Sequence, residues 1–294
     1  MSADLAYRWV PADTRGWLRT HAAALDASDA LAPQVLARLA QAGLLRVGVP
    51  AALGGAGGDA RDAAQAIAEV ARLSLAAAFV LWGQRCFIDF VLQSENPGPR
   101  ARWLAALLDG RQAGATGLSN AMKYLSCIEP LQLEAERGAG GWHVSGRMHW
   151  VTNLHVDGFA VAAAVRVAGS DTPLIVALDS ASAGVRRSAD LDLLALRGSH
   201  TAAIDLERAF VPDDAVLAEV RRTYFATSKR AQKSEILAIG APIFDVNRRC
   251  IAVLSVAGPY DRIDVEAGRL ALMRTVSRFM NQSGGWKPWG DAYG

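Results

Sequence analysis

Trp150 and Thr152, two positions apart in GWHVSGRMHWVTN (residues 141–153), are the residues whose types and spacing say most about chemistry. An aromatic plane followed by a short hydroxyl donor, where a strand leaves a hairpin and meets a polar loop, makes an edge that could hold a flat cofactor. The same residues suit a core tryptophan followed by a turn-forming Thr-Asn pair, and composition alone favours that plainer reading. Gly55-x-Gly57-x-x-Ala60 has the letters of a dinucleotide fingerprint, whose glycines let a phosphate approach a helix start. Pro50 precedes it, no second strand follows its helix and no ribose-binding acid stands at the needed distance, so a connecting loop is predicted. No Gly-Lys-Ser/Thr completes a Walker loop. His143, His149 and His155 stand six apart, which is no recognised metal arrangement, so no metal site is assigned. Ser119 has no Gly-x-Ser-x-Gly elbow and no patterned His or Asp, so no catalytic triad is assigned either.

The elements that must position these residues change character twice along the chain. Residues 29–110 are alanine-rich, with apolar residues every three or four positions: Leu31, Val35, Leu39 and Ala42, then Ala63, Ile67, Val70 and Leu73. Asp29 and Asp59 are the expected helix caps, Gly43 a stop, and residues 96–99 a break before a helix over 100–109. Residues 74–93 are apolar nearly all round, as a central helix would be, and too interrupted to span a bilayer. Residues 111–219 then read as short extended runs: 112–119, 131–136, 142–144, 147–151, 159–167 and 174–179, with Ser145-Gly146 as a two-residue hairpin turn and residues 138–141 and 169–172 as longer turns. Helices followed by strands imply separate α and β layers rather than a doubly wound parallel sheet. A basic stretch from Arg221 to Lys233 (Arg221, Arg222, Lys229, Arg230, Lys233) precedes a hairpin, 236–244 and 249–256, about residues 245–248. A helix capped by Asp264 follows, with Val265, Leu272, Met273, Val276 and Phe279 as its stripe, and residues 281–294 are expected to form a mobile tail.

Composition bounds what this layout can do. The chain has 294 residues, 51% of them hydrophobic, with 31 basic against 29 acidic side chains, the balance of a globular protein. A formal net charge of +2 gives no broad basic field, so no nucleic-acid partner is expected, and the basic stretch reads as solvated. No membrane partner is expected either: the opening residues lack a signal pattern, and a cytoplasmic protein is predicted. Cys86, Cys127 and Cys250 are odd in number and far apart, which predicts buried thiols rather than disulfides or a thiolate metal site.

Four segments resemble the first two domains of the acyl-CoA dehydrogenase family over residues 39–219. They are GLLRVGVPAALGGAGG (43–58), RWLAALLDGRQAGATGLSN (102–120), WHVSGRMHWVTN (142–153) and LRGSHTAAIDLERAFVPDDAVL (196–217). The resemblance implies an α+β fold: an N-terminal helical domain (1–110), an antiparallel β-barrel middle domain (111–219) and, beyond it, a short α/β C-terminal piece. It also implies flavin adenine dinucleotide (FAD) as cofactor and an acyl-CoA thioester as substrate. By position, Trp150 would pack on the flavin, Thr152 would hydrogen-bond its reactive edge, and Val151 would contribute backbone. Leu118 and Ser119 would lie beneath the ring, and Arg197 would support the active-site loop. Asn120-Ala121 replaces the family's Glu-Pro, and residues 121–130 lack its Gly-Ser-Asp. The family's helical bundle, which supplies the catalytic glutamate, has no counterpart after Glu219, so a crippled enzyme is expected. Residues 224–259, YFATSKRAQKSEILAIGAPIFDVNRRCIAVLSVAGP, instead resemble the last part of the effector-binding domain of IclR-type regulators. A partial IclR-like hairpin and helix (220–280), fused near residues 220–222, is the resulting expectation. A ligand- or partner-binding module is the alternative, with an open strand edge that allows a homo-oligomer.

Overall fold

The structure, a computed structural model, describes residues 7–125, 128–170, 172–219, 226–229, 236–259, 262 and 264–290. The chain divides into two compact units, Met1–Val220 and Arg221–Gly294. Cys127, Arg221, Arg222, Arg230, Lys233 and the junction at 220–222 lie outside the described residues, and Lys229 is described for its backbone alone.

The first unit begins with five helices: α1 (Ala12–Ala27), α2 (Ala32–Gln41), α3 (Ala60–Ala71), α4 (Leu75–Gln93) and α5 (Pro97–Leu108). Helix α1 precedes the region read as helical; it buries only Thr14, Leu18 and Leu25, too sparse a stripe to stand out in sequence. Leu31, not Asp29, occupies the cap position of α2, and Asp29 contributes its carbonyl oxygen to the N–H of Ala32 instead. Asp59 caps α3 as expected: its carboxylate accepts the N–H groups of Arg61 and Asp62, and Asp62 returns the bond to Asp59. Helix α5 begins at Pro97, behind Asn96, because proline suits the first turn of a helix. Helix α4 is long and apolar enough to cross a bilayer, contrary to the sequence expectation. Most of it is nevertheless buried within this unit, as befits a core helix, with Val80, Leu81, Phe87, Ile88 and Val91 all inside.

Eight strands follow: β1 (Ala113–Thr116), β2 (Leu133–Gly138), β3 (Gly141–Val151), β4 (Phe159–Val167), β5 (Leu174–Asp179), β6 (Val185–Asp190), β7 (Ala202–Pro212) and β8 (Val216–Glu219). Their order is β6-β7-β3-β2-β4-β5-β8, with β1 also on β4. The expected antiparallel barrel is therefore corrected to an open, mixed sheet, since β6 and β8 do not pair among the described residues. Strand β4 runs parallel to both β1 and β2 and shares one edge between them: β1 takes residues 159–162, and β2 takes only Arg166 and Val167. The turn expected at residues 138–141 joins β2 to β3, at residues 139–140, where Gly140 adopts φ +70°. The turn expected at Ser145-Gly146 is corrected: both residues lie within β3. Gly146 (φ +131°) is a bulge against β7; a side chain there would strike the Gln132 carbonyl.

The second unit contains β9 (Ala226–Lys229), β10 (Ile236–Phe244), β11 (Cys250–Pro259) and α7 (Val265–Ser283), with strand order β11-β10-β9. Asp264 caps α7, accepting the N–H groups of Glu266 and Ala267. Ile239, Ala241 and Phe244 pack on Leu272, Met273, Val276 and Met280. Phe279 is half exposed, and its neighbour Met280 takes the inner place. The expected mobile tail is corrected as far as Gly290: Trp286 meets Phe244 edge-on at 5.3 Å, and the Trp289 indole donates to Ser277 Oγ at 2.7 Å. Two tryptophans supply apolar area where aliphatic residues are few.

Candidate functional site

The shared edge of β4 makes a gap. Past Thr116 the chain leaves β4, after Gly117 donates to the Ala162 carbonyl at 2.8 Å, and β2 does not join until Arg166. A short helix, α6 (Ser119–Leu125), turns away from this opening, and a cleft of about 70 Å³ remains. Gly117 and Ala164 line it from the strands, Ser119, Asn120 and Lys123 from α6, and Glu129 and Gln132 from the following loop. The end of β3, residues 147–151, forms the remaining wall. A side chain at Gly117 would press on Met148 Sδ, so the methionine would have to shift to admit one.

Strand β3 presents its tryptophan through an irregularity. Its pairing with β7 shifts between Met148 and Val151, so His149 and Trp150 both face out while Met148 and Val151 are buried. Trp150 is 65% exposed, which overturns the core-tryptophan reading. Ser119 and Val151 line the same cleft, so three of the five proposed cofactor residues come together. Leu118 stands behind Ser119, its carbonyl accepting the Met122 N–H at 3.1 Å. Thr152 turns inward instead, its hydroxyl 2.9 Å from that of Thr201, which lies 2.7 Å from Ser199 Oγ. Arg197 lies outside the cleft; it pairs with Asp192 and donates through Nε to the Leu193 carbonyl at 2.8 Å.

A polar bracket shapes the mouth. Asn120 Nδ2 donates to Glu129 Oε1 at 2.8 Å and to the Pro130 carbonyl at 2.9 Å, while its Oδ1 accepts the Gln132 N–H at 2.9 Å. The Asn120 hydrogen bond, aided by Lys123 and His149, holds the Glu129 carboxyl below the usual carboxylate range. Glu129 is thus a weak base, and it is the carboxylate among the described lining residues. Arg147 is engaged by Asp205 at 2.9 Å.

The end of β3 is anchored from two sides. Gln84, fully buried on α4, donates to the carbonyls of Leu107 and Gln112 at 2.9 and 3.0 Å. Its Oε1 accepts the Gly114 N–H at 2.6 Å and Asn153 Nδ2 at 2.9 Å, and Asn153 Nδ2 also reaches the Gly114 carbonyl at 2.9 Å. From the other side, the N–H groups of Asn153 and Leu154 donate to the carbonyls of Ser199 and His200. His200 Nδ1 lies 3.0 Å from Asp190 Oδ2, and Arg187 joins Asp190 to the Leu154 carbonyl. Asn153, Leu196 and His200 adopt positive φ, three of the four described non-glycine residues of this unit that do so, Arg208 being the other. Burial pushes the Asp190 carboxyl up, but the His200 hydrogen bond and the Arg187 guanidinium outweigh it, and the net shift is downward.

Sequence reasoning missed Gln84, Asn120, Lys123, Glu129 and Asn153 as parts of this arrangement. For Gln84 a signal existed: with Arg85 it is a polar pair in the middle of a largely apolar helix. The three histidines do not meet; His149 is at the cleft, His143 lies 5.5 Å from the Phe210 ring, and His155 is 5.2 Å from the His200 ring. Among the described residues no group of three His, Cys, Asp or Glu could hold a metal ion. The Gly55-Gly57 segment is a loop folded on itself, in which Gly48 donates to Gly57 and Gly57 to Val49, both at 2.8 Å. Cys250 is exposed, correcting the expectation of a buried thiol, and Cys86 is half-buried.

Comparison with known proteins agrees with this layout. Residues 14–111 match the acyl-CoA dehydrogenase N-terminal domain family. Mitochondrial isovaleryl-CoA dehydrogenase of Oryza sativa subsp. japonica is 26% identical over 184 residues, covering 62% of this chain and 44% of that protein. Among solved structures, an acyl-CoA dehydrogenase from Bacillus anthracis complexed with FAD aligns with a TM-score of 0.56 at 20% identity, over 70% of this chain and 34% of that one. FkbI, for biosynthesis of the methoxymalonyl extender unit of the polyketide Fk520, aligns with a TM-score of 0.60 at 25% identity, over 70% and 57%. The chain spans less than half the length of the rice protein. The shared fold is the mixed α+β arrangement of a helical domain followed by a β-sheet domain.

Proposed function

We propose that residues 7–219 form the flavin-binding part of an acyl-CoA dehydrogenase-like oxidoreductase, a cytoplasmic protein of the class that acts on CH–CH groups of acyl-CoA thioesters, with FAD as cofactor. The observation that carries this reading is Trp150, a large aromatic held out over a polar cleft by a bulge and a buried hydrogen-bonded anchor. An enclosing ligand pocket has about 300 Å³ or more. The residues present therefore fit the ring edge of a flavin rather than the whole cofactor. Trp150 packs against the ring, Ser119 and Leu118 lie beneath it, and Val151 contributes backbone at its edge; Thr152, whose hydroxyl is taken by Thr201, reaches that edge only by breaking this bond. Arg197 steadies the loop at residues 196–201 that backs them. When bound, FAD supplies the hydride acceptor. The chain must supply the base that removes a proton alpha to the thioester. Glu129 is ill suited to that, being bound to Asn120 and paired with Lys123. Little or no dehydrogenation by this chain alone follows, the activity awaiting a carboxylate from elsewhere.

One feature supports the need for a partner. Leu75, Phe79, Trp82 and Cys86 form a stripe on α4 that is exposed or half-exposed, with the Phe79 and Trp82 rings stacked at 5.3 Å. A helical bundle of the kind the family carries would cover it. For the second unit, proposed as an IclR-like ligand- or partner-binding module fused to the first, the exposed β11 supports a partner-binding role.

An absorbance spectrum of the purified protein tests the main reading. A flavin band that survives desalting, or appears after incubation with FAD, and does not bleach with acyl-CoA thioesters is the expected result. Protein that stays colourless and ignores added FAD would refute flavin binding, and rapid bleaching at ordinary enzyme rates would refute the missing base.

A further inference from the structure

Strand β11 has a partner on one side, β10, among the described residues. Its sequence CIAVLSVAGP carries no charge, and every residue from Cys250 to Ala257 is exposed. Ile251 and Val253 are 62% and 64% exposed, and Leu254 and Val256 are open as well. Natural edge strands are blunted by lysine, an inward charge, proline or a bulge. Here the bulge faces β10 at Ile243/Phe244, and the proline comes last, at Pro259.

The register shows which groups this edge offers. Pro242 stands opposite Val253, and proline has no N–H, so theirs is a non-hydrogen-bonded pair. By alternation Ser255 and Ala257, opposite Gly240 and Ala238, are pairs of the same kind. Val253, Ser255 and Ala257 therefore turn their N–H and C=O groups away from β10.

We infer that this edge pairs with a second copy of the chain, β11 against β11, antiparallel about a two-fold axis at Ser255. Val253 of one copy then exchanges both bonds with Ala257 of the other, Ser255 with Ser255, and Ala257 with Val253. Three residues with two bonding groups each make six main-chain hydrogen bonds, and two three-stranded sheets become one of six. A second copy suits the edge for two reasons. The strand is uncharged, so self-pairing opposes no like charges, and Leu254 meets Val256 across the junction. Asp245, Arg248 and Arg249 before the strand sum to a charge of +1, and Arg262, Asp264 and Glu266 after it to −1, so antiparallel pairing lays a basic end beside an acidic one. The arrangement is isologous and closes at two chains.

Sedimentation velocity of the full chain across a concentration series tests this, with two variants. Ser255→Pro removes an outward N–H while sparing the ladder to β10, and Ser255→Lys keeps the N–H but sets two like charges at the axis. The expected result is a species of twice the 31.2 kDa chain mass, with dimerisation weakened about tenfold or more by each variant. Hydrogen exchange should show the amides of Val253, Ser255 and Ala257 protected only at concentrations where the dimer forms. A wild-type monomer at high micromolar concentration, or a dimer that neither variant weakens, would overturn the proposal; a strand from another protein seated on a monomeric chain would do the same. Flavin binding is not involved in any of these readouts, so this proposal and the flavin reading fail separately.

Discussion

The two units solve the problem of a small sheet beside helices in opposite ways. In the first, helix and sheet are joined through buried polar groups: Gln84 and Asn153 hold β1, α5 and the end of β3 together, and the hydroxyls of Thr152, Thr201 and Ser199 continue the network. In the second, Ser277 apart, the core is apolar, and one strand is left open along its length. Buried hydrogen bonds fix geometry, because a misplaced partner leaves a desolvated donor or acceptor. An apolar core tolerates more adjustment. The first arrangement suits a unit that must hold Trp150 in one place, and the second suits a unit whose work lies at its edge.

Removing the anchor should have the largest effect. Gln84→Leu fills the same space but strands the Gly114 N–H and the Gln112 carbonyl, and should cost about 3 kcal/mol in the denaturant unfolding of the first unit. A loss below about 1 kcal/mol would mean the polar interior does not hold this unit together. The thiols sharpen the same contrast. Burial pushes the Cys86 thiol up from 9.0 to about 11, so near pH 8 its thiolate fraction falls about a hundredfold. Peptide mapping after brief alkylation should find Cys250 modified and Cys86 largely intact, and equal modification would show that α4 opens readily. In the second unit, Trp286→Ala should cost about 2 kcal/mol, through lost contact with Phe244. A value near zero, read from the melting of α7, would restore the mobile-tail expectation.

The smallest effect concerns acid. Asp190 has a folded pKa below its unfolded value of about 3.9, so the stability it contributes is fully present above that value and is lost as pH falls through the lower folded one. Wild-type protein should therefore lose stability between pH 5 and pH 3 more steeply than Asp190→Asn. Parallel slopes would show that the Arg187–Asp190–His200 link contributes nothing to folding.

Sequence carried the helices well wherever a cap and a stripe coincided, as at Asp59 and Asp264. It failed where backbone geometry decided. The turn expected at residues 138–141 is found there, but Ser145-Gly146, which also has the letters of a turn, is a bulge within β3, because a bulge and a hairpin both call for glycine at positive φ. The closed barrel was inferred by resemblance; the way β1 and β2 divide one edge of β4 depends on register between strands far apart in sequence, which no local pattern encodes. Trp150 was legible as a residue but not in its exposure, since exposure depends on the pairing shift after Met148. Asn120 was noticed only as a departure from Glu-Pro, and its role as the bracket of the cleft required the loop at 128–132 to be in place.

The central claim is that Trp150 is held out to meet a flavin, and a titration with FAD followed by tryptophan fluorescence tests it most directly, using the wild type and Trp150→Ala. Trp150 is exposed, so the variant should fold with stability within about 0.5 kcal/mol of the wild type. The account predicts saturable quenching in the wild type and affinity about tenfold weaker in the variant, the loss expected for one aromatic stacking contact. Equal affinity in the two proteins, or no saturable quenching in either, would contradict it.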